Sequence, residues 1–194
     1  MLLNEAMLNR VSIQKSADKT VITEALEFKE GVIYDLFISH SFKDQNRVLR
    51  FRNLFKNCGF NVYVDWIDDS YLNRENVTSD TADLIKHRIE QSKALAYVAT
   101  QNITTSKWCP WELGVADGLL GKVCIIPFLS GNTQESIYHG FEYLGLYPYL
   151  DFTGDNGATT NIRVAATSNH EIYTALNKYT NLRTWLNGGN GYRP

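Results

Sequence analysis

Val123-Cys124-Ile125-Ile126-Pro127-Phe128-Leu129 is the most continuous apolar run in the chain. A strand buried on both faces reads this way, whereas a half-solvated strand alternates apolar with polar residues. Upstream, Trp108 to Leu120 predicts a helix that begins at Ser106, with Pro110 tolerated only in its first turn. Ala94 to Thr100 reads as a second buried strand, preceded by a helix marked by Ala82, Ile85 and Ile89. Phe60 to Asp65 alternates and is rich in aromatic and β-branched residues, which predicts another strand. Before it, Val48, Leu49, Phe51, Leu54 and Phe55 form a helical stripe, giving a helix from about Lys43 to Asn57 stopped at Cys58-Gly59. Tyr34-Asp35-Leu36-Phe37-Ile38-Ser39-His40 opens the series. Strands alternating with helices imply an α/β fold: a parallel sheet with right-handed crossovers and helices on both faces.

The flanks are less regular. Ile67 to Ser79 reads as a long exposed polar loop. Beyond Leu129, Thr133 to His139 suggests a short helix, Tyr147 to Phe152 a strand, and Thr153 to Thr167 a loop punctuated by Asn156-Gly157. Ser168 and Glu171 have capping-box spacing, and Ile172, Leu176, Tyr179, Leu182, Trp185 and Leu186 continue one apolar face toward Gly188-Gly189. That predicts a terminal helix of about five turns. Residues 1–31 form a more polar preface with Leu3, Met7, Val11, Val21, Ala25 and Phe28 at helical spacing, expected to pack on the domain or on a partner. The chain therefore divides into an N-terminal extension, 1–31, and one domain, 32–194.

Composition bounds the function. Lys plus Arg number 19 against 21 for Asp plus Glu, and no basic run stands out, so a nucleic-acid partner is not expected. The three cysteines, Cys58, Cys109 and Cys124, are odd in number and lack framework spacing, which points to reduced thiols and a cytoplasmic location. Asn4, Glu5, Asn9 and Arg10 interrupt the apolar residues of the N-terminus, so no secretion signal is read there. No window approaches the ~18 consecutive apolar residues of a membrane span, and no membrane partner is expected.

In a sheet of this kind ligands bind at the carboxyl ends of the strands. Those ends lie near Ser39-His40, Asp65-Trp66 and Thr100-Gln101. Neither a Gly-x-Gly-x-x-Gly turn nor a Gly-x-x-x-x-Gly-Lys-Ser/Thr loop occurs, which argues against redox use of a dinucleotide cofactor and against kinase chemistry. His40, His87, His139 and His170 are scattered without ligand spacing, so no metal is expected. What remains is Ser106-Lys107-Trp108-Cys109-Pro110-Trp111-Glu112-Leu113, in which Trp108 and Glu112 share one helix face. An indole beside a carboxylate can hold a flat or ribosyl ligand. Taken alone, each residue also has an ordinary reading: Glu112 as a solvated helix residue, the tryptophans as core or interface anchors, Asp65 as a turn residue and His40 as a satisfied polar group.

Four segments together resemble the Toll/interleukin-1 receptor (TIR) domain family, particularly its bacterial NAD-cleaving, Thoeris sensor-synthase type. Tyr34 to Ser41 is similar to the family's first strand and following turn, Phe60 to Asp65 to its second strand, Ser106 to Leu113 to the motif with the catalytic glutamate, and Val123 to Phe128 to the strand after it. The likeness spans residues 33–152, and the 66–79 loop departs from it, with Asp68, Asp69, Arg74 and Glu75 where many members have Gly and Pro. The resemblance implies a flavodoxin-like sheet and cleavage of NAD, as substrate rather than cofactor, to nicotinamide and ADP-ribose or a cyclic isomer. It casts Glu112 as the catalytic residue and His40, Ser41, Asp65 and Trp108 as substrate contacts, with no metal. It also implies self-association through TIR contacts and a role in antiviral defence, with a phage-derived activator and an effector reached by the nucleotide product. The rival reading is a non-catalytic module that signals through TIR–TIR contacts.

Overall fold

The structure, a computed structural model, describes residues 2–11, 31–69, 78–129, 138, 140, 142–153, 161–165 and 179–188. The strands are β1 (Leu3–Asn4), β2 (Tyr34–Ser39), β3 (Val62–Tyr63), β4 (Ser92–Ala99), β5 (Val123–Leu129), β6 (Tyr149–Thr153), β7 (Asn161–Ala165) and β8 (Tyr179–Asn181). The helices are α1 (Glu5–Arg10), α2 (Gln45–Asn57), α3 (Asp65–Asp68), α4 (Ser79–Glu90), α5 (Trp108–Leu120) and α6 (Leu182–Leu186). The eight strands form a single sheet in the order β3-β2-β4-β5-β6-β7-β8, with β1 paired to β5. From β3 through β6 every pair is parallel, which is the flavodoxin-like order with the change of winding direction between β2 and β4. The far edge, β6-β7-β8, is antiparallel.

Strand parity sorts the core into two halves. Leu36, Ile38, Ala94, Ala96, Val98, Cys124 and Ile126 pack toward α2, α6 and Leu8 of α1. Phe37, Leu95, Tyr97, Val123 and Ile125 pack toward Ile85 and Ile89 of α4 and Cys109, Leu113 and Ala116 of α5. The alternation of strands and helices expected over residues 34–129 is thus observed, and both faces of β4 and β5 are covered. Gly59 ends α2 with φ +78, a left-handed conformation open to glycine at little cost, and its N–H donates to the Lys56 carbonyl at 2.9 Å.

The structure corrects the flanks. Tyr179 belongs to a strand instead of the long terminal helix: β8 pairs antiparallel with β7, and the helix proper is only Leu182–Leu186. Residues 168–178, including the capping-box pair, lie outside the described residues. The supposed loop after Thr153 contains β7, whose Ile162 and Val164 are buried while Asn161 is exposed. This period-two pattern is only five residues long and sits among polar residues, so it reads as loop until its partner β6 supplies the hydrogen bonds. In the preface, Leu3 lies in a strand paired with Phe128, and Leu2, Leu3 and Leu8 are buried in this chain's own core. Residues 12–30 and the short helix expected at Thr133 to His139 lie outside the described residues, apart from the isolated position 138.

The segment after β3 is also reshaped. The strand is shorter than Phe60 to Asp65, and Asp65 starts a helix. Asp69, expected on an exposed loop, is 1% exposed: its carboxylate accepts from both Arg88 Nε (2.8 Å) and Nη2 (2.9 Å) and from the Tyr63 hydroxyl (2.7 Å). Arg88 is itself buried on α4, so this bidentate pair ties the residue that leaves α3 to the helix that resumes at Ser79. Removing one partner of a buried pair strands the other charge, which costs about 3–5 kcal/mol. Asp69→Ala should therefore lower the unfolding free energy by an amount in that range, measured by equilibrium urea unfolding, whereas Asp83→Ala, at an exposed position, should change it by less than about 0.5 kcal/mol.

Candidate functional site

The turn of winding direction places the carboxyl ends of β2 and β4 side by side, and the polar residues at those ends are buried: Ser39, His40, Ser41, Asp44 and Thr100. Glu112 joins them from α5 and is 0% exposed. Its position follows from helix periodicity, since Cys109, Leu113 and Ala116 turn the same side of α5 to the sheet. The carboxylate Oε2 accepts a hydrogen bond from the Ser39 hydroxyl at 2.6 Å. Ser39 shares the strand parity of Phe37, which faces α4 and α5, so the last residue of β2 reaches Glu112 directly.

Ser39, which the structure joins to Glu112, is absent from the residues that the sequence singles out. The signal was available: Ser39 is two residues from Phe37 and therefore on the same face, whereas His40 falls on the other. His40 is buried, with Nδ1 3.0 Å from the Ile38 carbonyl oxygen and Nε2 3.7 Å from Asp65 Oδ1. The structure thus brings His40 and Asp65 together. Ser41 precedes a 3₁₀ turn, Phe42–Asp44, and its carbonyl accepts from the Asp44 N–H at 2.9 Å. Trp108 is partly buried, packed edge-on against Trp111 with ring centroids 5.3 Å apart. The helix starts at Trp108 and not at Ser106, yet the Ser106 hydroxyl still accepts from the Cys109 N–H at 3.3 Å.

A second buried carboxylate braces this edge. Asp44, 1% exposed, accepts from the Thr100 hydroxyl at 2.6 Å, the Asn102 amide at 2.8 Å and Arg47 Nη1 at 2.7 Å. The start of α2 and the segment after β4 are locked together by one side chain. Tyr97, the register partner of Ser39 on β4, flanks Glu112 and is buried; burial and then the neighbouring Tyr143 push its hydroxyl far above the ordinary tyrosine range. Among the described residues no cluster of three His, Cys, Asp or Glu side chains is arranged to hold a metal ion, and no helix is long and apolar enough to cross a membrane.

The sequence profile of the TIR domain matches residues 36–164. The chain belongs to the TIR domain family. A Bacillus cereus relative named as a probable 3′ cyclic ADP-D-ribose synthase, ThsB′, is 37% identical over 183 residues, covering 90% of this chain and 91% of that protein. A Cytobacillus dafuensis protein named as a putative cyclic ADP-D-ribose synthase, TIR2, is 42% identical over 103 residues, 53% of this chain and 27% of its own length. Among solved structures, the TIR domain of a Toll-related receptor from Hydra magnipapillata is 23% identical with a TM-score of 0.37, covering 53% of this chain and 74% of that one.

Tyrosines packed around α5 also set a pH limit on the TIR fold. The Tyr147 hydroxyl donates to Asp117 of α5 at 3.2 Å, and burial, reinforced by that carboxylate, pushes it up to about 12. Burial alone pushes Tyr138 up to about 12. An unfolded tyrosine ionises near pH ~10. The folded chain therefore holds these protons more tightly, a contribution fully present below pH ~10 and lost as pH rises through about 12. Denaturant midpoints measured across this window should fall with rising pH, and Tyr147→Phe should flatten the decline.

Proposed function

We propose that this TIR domain cleaves the nicotinamide–ribose bond of NAD, with Glu112 as the catalytic carboxylate. The observation that carries the reading is the fully buried Glu112, oriented by the Ser39 hydroxyl at the ligand edge of the sheet. The names carried by the Bacillus and Cytobacillus relatives support the same chemistry and favour a cyclic ADP-ribose product. Nicotinamide departs as a neutral pyridine from a positively charged nitrogen, so one carboxylate is enough where ordinary glycosides need an acid as well. The negative charge stabilises the oxocarbenium character of the ribose at C1′ and orients its hydroxyls. Capture of the cation by water gives ADP-ribose, and capture by a nucleophile of the same molecule gives a cyclic isomer.

His40, Ser41, Asp65 and Trp108 are the substrate contacts of this proposal. The wider setting proposed is cytoplasmic: a self-associating TIR enzyme of antiviral defence, responding to a phage-derived activator and signalling to an effector through its nucleotide product. The domain division at Gly31 belongs to the same proposal, although β1 and α1 are built into the sheet.

Nicotinamide release by purified, concentrated protein, followed by mass spectrometry, tests the chemistry. Glu112→Gln should reduce turnover by about 10²–10³-fold, the effect of losing a charge aimed at the transition state. Ser39→Ala should lower kcat by about tenfold with KM little changed, because it frees the orientation of Glu112 without touching substrate, and Ser39→Thr should restore most of the loss. Equal release from wild type and Glu112→Gln would remove Glu112 from the chemistry, whereas no release from concentrated wild-type protein would return the chain to the non-catalytic interaction module.

A further inference from the structure

A cavity of about 270 Å³ opens where β4 and β5 end, lined by Arg47, Thr100, Gln101, Asn102, Phe128 and Leu129. Arg47 and Phe128 belong to the α2 side of the sheet and Glu112 to the α5 side, so the cavity and the proposed reaction centre flank the carboxyl ends of the strands from opposite faces. Tyr97 is the register partner of Ser39, and Thr100 is three residues further along the same chain, about 10 Å at the rise of an extended strand. The Asp44 carboxylate, which follows β2, reaches Thr100 and Asn102 directly, so the cavity rim and the end of β2 form one braced unit.

The charge count decides what kind of ligand fits. Arg47 would suit a phosphate if its charge were available, but it is held between two carboxylates: Glu5 accepts from Nε at 2.8 Å and lies 2.7 Å from Nη2, and Asp44 accepts from Nη1 at 2.7 Å. The arginine is fully compensated, and an anion gains little there. Its guanidinium is instead laid over the Phe128 ring, 5.1 Å from the centroid, which makes a flat wall. Opposite in character is the carboxamide of Gln101, since the Asn102 amide and the Thr100 hydroxyl both donate to Asp44. A carboxamide presents a donor and an acceptor side by side, the complement of the N6 and N7 edge of adenine. A flat wall, an amide and no net positive charge together suit an uncharged purine nucleoside.

We propose that this cavity holds the adenosine half of the dinucleotide, with Gln101 reading the adenine edge and the Arg47–Phe128 stack supporting its plane. The proposal rests on the NAD-cleaving reading and assigns the two halves of the substrate to different places: the nicotinamide ribose beside Glu112 and the adenosine beyond the end of β4. Gln101 is exposed, so its replacement leaves the core intact.

The test uses full-length Glu112→Gln protein, which leaves the dinucleotide uncleaved, and isothermal titration with NAD, AMP and nicotinamide mononucleotide. Adding Gln101→Leu should weaken NAD and AMP by about tenfold or more, the worth of a bidentate amide contact, and leave nicotinamide mononucleotide unchanged. An unchanged melting temperature for Gln101→Leu certifies the fold. Absence of AMP binding at millimolar concentration, AMP binding indifferent to Gln101→Leu, or an equal loss for nicotinamide mononucleotide would overturn the assignment. Nicotinamide release by the wild-type protein, run in parallel, separates the two failures: no release from NAD sinks the enzymatic reading, whereas release with an unaltered AMP titration sinks only the adenosine site.

Discussion

Strands β4 and β5 have protein on both faces, and the rest of the molecule answers to that condition. A parallel pair so placed must be connected by crossovers, and the crossovers must supply apolar helix faces to each side. The two halves of the core follow strand parity: Ala94, Ala96 and Val98 toward α2, Leu95 and Tyr97 toward α5. Polar groups are then excluded from the strand interiors and collect at the carboxyl ends. Ser39, His40, Asp44, Thr100 and Glu112 are all buried there, and they are tolerated because hydrogen bonds replace the water they lose.

Two of those buried carboxylates divide the work. Asp44 is surrounded by donors from three segments and acts as a structural pin between the start of α2 and the turn after β4. Glu112 takes the Ser39 hydroxyl on one oxygen and is shut away from solvent between α5 and the end of β2. In the proposed reaction a carboxylate in this position acts strongly because little solvent screens it.

The central alternation was legible because each of its elements is long and carries its own period: Val48, Phe51 and Phe55 at helical spacing, or the unbroken run from Val123. The position of Glu112 on the helix beside the carboxyl edge of the sheet was legible from its place in the order of elements. Ser39 was passed over because its neighbours His40 and Ser41 carry the more conspicuous chemistry, although parity with Phe37 puts Ser39 on the face of Glu112. Asp69 read as solvated because nothing local announces its pairing with Arg88, nineteen residues away. Likewise β7 and β8 are too short to show a period, and their identity is conferred by partners across the sheet.

The pairing of Leu3 with Phe128 has a kinetic meaning as well as a structural one. Contacts between such distant positions must wait for the intervening chain and carry the entropy of closing a long loop. During synthesis, Leu2, Leu3 and Leu8 emerge more than a hundred residues ahead of the strand that shelters Leu3. Through that interval a short apolar segment stays without its native cover. The segment from Leu2 to Leu8 thus finds its place only after β5 is made, and until then it is open to unwanted association.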